Sequence, residues 1–327
     1  MRIASFMPAG SALWAGRLES LRARFPAHEF ILGPEAAGAV LPSLDALLGG
    51  RLDRAVFEAA TSLKAVFVPF TGLNHLPADL LLARGVKVYN VHGNAESVAE
   101  RALAMTLAFH GRLVEFHNDL RERRWHGFWV GKGAEDEWSS IFRKRCAILG
   151  TGAIGLVLAR LLKAFDCDVV GWRRRAQAPA PEGFDRVEAD LAAAIAGAEI
   201  VFVALPLTDR TRGLLSRELL ASMKGTFLVN VGRGAIVDEE GLWLALRDGI
   251  LKGAAIDTWY DYPAGGSTVG APSRFPIHEL PNVILSPHVG GSAREASAMA
   301  AEQTVENLAE WLSTGGCSRE GNLGEMY

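Results

Sequence analysis

The stretch that most constrains this chain is Gly150-Thr151-Gly152-Ala153-Ile154-Gly155. It follows the apolar Cys146-Ala147-Ile148-Leu149 and opens a segment with apolar residues at helical spacing. The context therefore predicts a strand, a tight turn and a helix. Each glycine has a reason to lack a side chain. Gly150 makes the turn, Gly152 lets the backbone approach a pyrophosphate, and Gly155 lets helix and strand pack closely. The helix N-terminus then turns unpaired N–H groups toward the phosphates, with Ile154 in its first turn. The chain is thus expected to bind a dinucleotide.

Elsewhere, short apolar runs alternate with helical patterns. Strands are expected at Ile3–Met7, Phe30–Leu32, Ala65–Pro69, Val86–Val91, Asp168–Trp172, Ile200–Leu205, Thr226–Val231, Ala254–Asp257 and Val283–Ser286. Helices are expected at Ser11–Phe25, Ser97–Leu113, Ile154–Phe165 and Ser292–Leu312. This alternation predicts an α/β protein with parallel sheets covered by helices. At 327 residues the chain has room for two domains. Asn118–Arg145 shows no clear period and reads as a helix followed by an irregular arm, with Trp125, Trp129 and Trp138 in the stretch. Exposed Trp there suggests a partner surface, and packing into the monomer is the alternative.

Charge and composition exclude several classes. The net charge of -3 offers no global attraction to nucleic acid or an anionic membrane. No apolar run is long enough to span a bilayer. Cys146, Cys167 and Cys317 are far apart, so neither a disulfide framework nor a zinc site is expected. These features predict a reduced, cytoplasmic protein without a metal.

Of the 34 basic residues, 27 are Arg. Most reflect no particular function, but one group has a specific place. Arg173 lies 18 residues beyond Gly155, in Trp172-Arg173-Arg174-Arg175. An NAD site usually carries Asp or Glu about there, for the ribose 2′-hydroxyl. No acid stands in this stretch, and guanidinium groups can fork onto a 2′-phosphate. NADP(H) is therefore expected to be preferred, with NAD(H) as the alternative. Trp172 or an Arg plane is expected to stack on the adenine.

Three further segments carry a family resemblance. They are Asn230-Val231-Gly232-Arg233-Gly234-Ala235-Ile236-Val237-Asp238, Ala255-Ile256-Asp257, and Leu285-Ser286-Pro287-His288-Val289-Gly290-Gly291-Ser292. With the glycine turn and Ser97-Val98-Ala99-Glu100-Arg101, the chain resembles the D-isomer-specific 2-hydroxyacid dehydrogenases over most of its length. The resemblance implies two doubly wound parallel-sheet domains with the active site in the cleft between them. One is a Rossmann cofactor domain at 95–294; the other is a discontinuous, flavodoxin-like substrate domain at 1–94 and 295–327. It also implies a homodimer formed through residues 100–145. Arg233 would hold the carboxylate of a small 2-oxoacid. His288 would donate a proton to the carbonyl oxygen as hydride arrives, and accept it in reverse. Main-chain N–H groups of the turn Phe70-Thr71-Gly72 would receive the carboxylate too. Pro206 and Thr211, in the loop Ala204–Thr211, would lie beside the cofactor with Val231 and Gly290, and Asp257 would bond the nicotinamide amide. Phe70, Leu73 and Trp259 suggest an apolar pocket wall.

One departure from the family stands out. The family usually places a Glu five residues after this Asp, paired with the His; here Tyr262 stands there. Tyrosine can bond the ring but brings no charge at neutral pH, and Asp261 is the other candidate partner. His288 is therefore expected to titrate below its counterparts in Glu-containing relatives, favouring carbonyl reduction toward acidic pH. The segment Ala264–His278 that follows is Gly- and Pro-rich and expected to shape the pocket mouth. Reduction of glyoxylate, hydroxypyruvate or phenylpyruvate with NADPH is the leading function. Formate-dehydrogenase-like oxidation and a catalytically weak dinucleotide-sensing protein are the alternatives.

Overall fold

Short apolar runs form parallel strands covered on both faces, as expected for sheets that carry helices on either side. The computed structural model describes residues 1–8, 10–131, 133, 136–174 and 179–324. The chain divides into two compact units, Met1–Asn94 with Ser292–Tyr327, and Ala95–Gly291.

The first unit opens with β1 (Arg2–Ser5), α1 (Ala15–Arg24), β2 (Glu29–Leu32), α2 (Pro34–Gly38), β3 (Ala46–Leu48), α3 (Arg54–Ala59), β4 (Ala65–Phe67), α4 (Ala78–Ala83) and β5 (Lys87–Tyr89). Its sheet order is β2-β1-β3-β4-β5, all parallel, the flavodoxin-like order. Strand β3 is absent from the sequence expectations. Its Ala-Leu-Leu carries no β-branched or aromatic residue to mark a strand, although all three are fully buried.

The second unit begins with α5 (Ala95–His110), which buries Val98, Ala99, Ala102, Met105 and Thr106 at helical spacing. Ser97 lies inside this helix, two residues past its start. Arg112 then turns left-handed at φ 50 and α6 (Leu113–Arg121) follows. No residue of α6 is buried, so its apolar pattern does not mark its bounds, and the helix read before the arm starts earlier, at Leu113. The unit continues with β6 (Arg145–Leu149), α7 (Ala153–Lys163), β7 (Asp168–Trp172), β8 (Arg186–Glu188), α8 (Leu191–Ile195), β9 (Ile200–Val203), α9 (Arg217–Ser222), β10 (Phe227–Asn230), α10 (Glu239–Arg247), β11 (Gly253–Ile256) and β12 (Val283–Leu285). Sheet order is β12-β11-β10-β9-β6-β7-β8, all parallel. The chain starts in the middle at β6, runs out to β8, and returns to build the other half from β9. That is the Rossmann arrangement, and its switch point lies between β6 and β9.

Two apolar clusters cover the faces of this sheet. Leu149, Val203, Leu228 and Ile256 belong to one, and Ile148, Leu158, Phe202 and Val229 to the other. The last helix, α11 (Arg294–Thr314), rejoins the first unit and ends on Gly315, whose φ of 81 suits a residue without a Cβ. Its Ala301, Val305, Leu308 and Leu312 pack with Ile3, Leu48 and Phe67. No helix among the described residues is long and apolar enough to cross a membrane.

Candidate active site

The glycine turn lies at the switch point of the second unit. Gly150 has φ 111, and a Cβ there would stand 2.5 Å from Ala204 O, just past the end of β9. Gly155 faces the Gly150 carbonyl so closely that any Cβ would collide with it. Gly152 is different: nothing lies within 4 Å of where its Cβ would stand. It precedes α7, whose N-terminus has no side-chain cap. Two glycines thus close the turn, and the third leaves room for a ligand at uncapped N–H groups. These residues fit a dinucleotide pyrophosphate. Ile154 is half-buried in the first turn of α7, packed toward the core.

At the end of β7, Arg173 donates its main-chain N–H to Glu188 O at 3.2 Å and Arg174 is exposed. Arg175 lies outside the described residues. An acid does stand nearby, on the adjacent strand: Glu188 is in register with Trp172, and Arg186 Nε lies 3.5 Å from its carboxylate. The stacking role expected of Trp172 does not match its placement. The ring is 6 % exposed within the core, and Nε1 donates to Ala189 O at 3.0 Å. The strand's alternation turns Trp172 inward and leaves the basic residues after it. Thr211 is also largely occupied: its buried hydroxyl donates to Pro206 O at 2.7 Å and accepts from Thr208 N, shaping the loop after β9. Val231 is buried at the end of β10, with its N–H on Val203 O.

The remaining second-unit candidates converge at the ends of β10, β11 and β12. Arg233 follows β10 and is half-buried; its Nη1 donates to Gly232 O at 2.7 Å, and Asn230 Nδ2 donates to Arg233 O at 3.1 Å. Asp257, 2 % exposed, follows β11. Its Oδ1 accepts from Ser286 Oγ at 2.5 Å and Val289 N at 3.0 Å, and its Oδ2 from Gly290 N at 3.0 Å. These bonds replace the water that the carboxylate loses on burial. They fill Oδ1 and leave one lone pair on Oδ2, enough for one further donor such as a carboxamide. A Cβ at Gly290 would stand 2.9 Å from that oxygen.

The loop gripped in this way carries His288, held in the left-handed region at φ 58. Such a conformation costs a non-glycine residue on the order of 1–3 kcal/mol and persists only where neighbours enforce it. The two N–H groups after His288, bound to Asp257, do so. Tyr262 Oη lies 2.8 Å from His288 Nδ1 and accepts Trp259 N–H at 3.0 Å. Asp261 is exposed, with its N–H on Pro272 O at 3.1 Å. Tyr262 therefore occupies the position beside the ring.

In the first unit, Thr71 Oγ1 donates toward Val91 O at 3.0 Å and Asn94 Oδ1 at 2.9 Å, while Asn90 Nδ2 donates to Thr71 O at 2.6 Å. Phe70 packs against His75 with ring centroids 5.0 Å apart, and Gly72 is half-buried. The apolar wall expected from Leu73 and Trp259 is core instead, at 0 % and 8 % exposure.

The family model described as D-isomer specific 2-hydroxyacid dehydrogenase, NAD binding domain, matches residues 103–290. The chain belongs to that family. It is 32 % identical over 306 residues to a glyoxylate/hydroxypyruvate reductase B of Pectobacterium carotovorum, covering 90 % of this chain and 92 % of that one. It is 34 % identical to a D-3-phosphoglycerate dehydrogenase of Mycobacterium leprae, over 83 % of this chain and 49 % of the relative. Among solved structures it is similar to the NADPH-dependent glyoxylate/hydroxypyruvate reductase of Sinorhizobium meliloti in complex with NADP and malonate. There the TM-score is 0.73 at 26 % identity, with 99 % and 98 % of the two chains covered. Membership makes this protein a hydride-transferring oxidoreductase with a nicotinamide-dinucleotide domain.

Gly150→Ala tests the turn. The left-handed φ and the Ala204 carbonyl both oppose the new methyl group. Titration with NADPH by tryptophan fluorescence is expected to show at least ~10-fold weaker binding, with a lowered melting temperature.

Proposed function

We propose that this protein reduces a small 2-oxoacid to the D-2-hydroxy acid with NADPH and runs the reverse oxidation on the product. The seat of His288 carries the reading. A strained backbone, a buried carboxylate clamp and a bond at Nδ1 together aim one imidazole, and proton transfer to the substrate is assigned to Nε2. When bound, the reduced nicotinamide supplies the hydride to the carbonyl carbon. His288 delivers the proton to the carbonyl oxygen, and takes it back in the oxidation. Arg233 holds the carboxylate and draws charge from the carbonyl as the alkoxide develops. The turn Phe70-Thr71-Gly72 is assigned to the same ligand class, its N–H groups suiting a carboxylate.

Tyr262 can serve both states of the ring. Its oxygen has two lone pairs and one proton. With Trp259 N–H on one lone pair, it donates to a neutral Nδ1 or accepts from a protonated one. The cofactor preference rests on Arg173 and Arg174 at the end of β7, a stretch that carries no acid in sequence, the nearby Glu188 standing on the adjacent strand with Arg186 at 3.5 Å. Asp257, Gly290, Pro206, Thr211, Val231 and Ile154 are assigned to the cofactor's surroundings.

A homodimer is proposed from the surface of residues 113–142. Trp125, Phe128, Trp129 and Trp138 are 61–78 % exposed, and Leu113, Val114, Leu120, Val130 and Phe142 add to them. Nine large apolar side chains exposed within one stretch of chain favour a partner surface over solvent. Cys146, Cys167 and Cys317 are thiols, which suits the cytoplasm.

Two experiments test these assignments. Consumption of NADPH is followed with glyoxylate, hydroxypyruvate and phenylpyruvate, with formate plus NAD as the reverse arm. Turnover of a 2-oxoacid is expected, and His288→Asn should lose about 10²- to 10⁴-fold in kcat while still binding NADPH. Tight NADPH binding with no oxoacid consumed would reject the proposal. Replacing both Arg173 and Arg174 by Ala should lower the ratio of kcat/KM for NADPH over NADH by on the order of 10²-fold, since each guanidinium–phosphate bond is charge-assisted. An unchanged ratio would remove these two residues from cofactor choice.

A further inference from the structure

Three loops of the second unit carry Arg233, Tyr262 and His288, and one buried residue touches all three, one through its side chain and two through its main chain. Trp259 is 8 % exposed, two residues after Asp257. Its indole Nε1 donates to Ser286 O at 2.8 Å, a buried bond. Its main-chain N–H donates to Tyr262 Oη at 3.0 Å, and that oxygen lies 2.8 Å from His288 Nδ1. Its carbonyl packs so closely on Gly234, the neighbour of Arg233, that any Cβ at Gly234 would collide with it.

We propose that Trp259 is a positioning residue for proton transfer, setting His288 through two routes at once. The first route runs through Ser286. Its carbonyl is held by the indole and its hydroxyl by Asp257 Oδ1, so the residue two before His288 is fixed at both ends. The second runs through Tyr262. The Trp259 N–H occupies one lone pair of the phenol oxygen and so orients the remaining lone pair and the proton toward Nδ1. Tyr262 is itself 50 % exposed, so the core does not enclose it. Its loop is closed at the neck instead, where Tyr260 N and Asp261 N both donate to Pro272 O at 3.2 and 3.1 Å. Beyond the neck, Ser273 Oγ and Arg274 donate to the buried carboxylate of Glu239. The neck sets where the loop leaves the body, and Trp259 sets where Tyr262 meets the histidine. Trp259 need not touch substrate or cofactor for this; it acts through its hydrogen bonds.

The bond can be deleted without changing the shape of the side chain. Benzothienylalanine, introduced at position 259 alone, replaces the indole N–H by sulfur in a ring of nearly the same outline. 7-Azatryptophan at the same position keeps the N–H and serves as the conservative control. The proposal rests on His288 being the acid/base group, so His288→Asn is measured beside them. With NADPH and the best 2-oxoacid, benzothienylalanine is expected to lower kcat at least ~10-fold. The KM for the oxoacid, the affinity for NADPH and the melting temperature should stay within about 2-fold or a few degrees of the parent. 7-Azatryptophan should retain kcat within about 3-fold. The main-chain N–H to Tyr262 is the same in both analogues, so equal kcat would overturn the indole route and with it the positioning role of the Trp259 side chain, as would a loss of kcat accompanied by an equal loss of folded protein. Full activity in His288→Asn would overturn the acid/base reading itself, a separate outcome.

Discussion

A single buried carboxylate organises the chemistry of the second unit. Asp257 follows β11 and takes three donors from the loop after β12. A carboxylate at 2 % exposure would be costly to bury alone, so the loop must close on it for the fold to be stable. Closure puts Val289 and Gly290 N–H groups on its oxygens and forces the preceding residue, His288, into a left-handed conformation. The strain at the histidine is thus maintained by the same bonds that satisfy the aspartate. Stability and the aim of the imidazole are one arrangement.

The second dependence is topological. Parallel strands that start in the middle of a sheet and proceed outward in both directions leave a crevice where they part. In the second unit this falls between β6 and β9, where Gly150 and the Ala204 carbonyl approach. The turns after β10, β11 and β12 lie at the same carboxyl end of the sheet as the glycine turn. A parallel sheet therefore delivers the uncapped N-terminus of α7 and the loop of His288 to one edge, although their residues are far apart in the chain.

Much of this was legible in the sequence where a residue type has one physical use. The glycines of 150–155 could be read because each omitted side chain has its own reason, and DVVGW appears as a strand with the bounds its apolar run suggested. Elements without such a signature escaped. β3 is Ala-Leu-Leu, without the β-branched or aromatic residues that mark the equally short β4, β5 and β12, β8 sets one Val between two charges, and α6 buries nothing, so its pattern has no core side to declare. Orientation was the other blind spot. Trp172 reads as a stacking platform beside three arginines, yet strand alternation turns it into the core. Tyr262, by contrast, was legible from its place five residues after Asp257, and closure of the intervening loop brings its phenol rather than Asp261 to the ring. Trp259 reads as pocket wall because volume is visible in a sequence and the direction of an indole N–H is not.

The central claim is that the acid/base histidine works beside a neutral partner. Its most direct test is the pH dependence of kcat/KM for 2-oxoacid reduction, in the protein and in Tyr262→Glu. Reduction needs the protonated ring, so activity falls as pH rises through the histidine pKa. A carboxylate at position 262 favours the imidazolium and raises that pKa. The account predicts that the falling limb moves to higher pH by about one unit or more in Tyr262→Glu, a shift of the size an adjacent opposite charge produces. An identical limb in the two proteins would contradict it, because residue 262 would then not govern the protonation of His288.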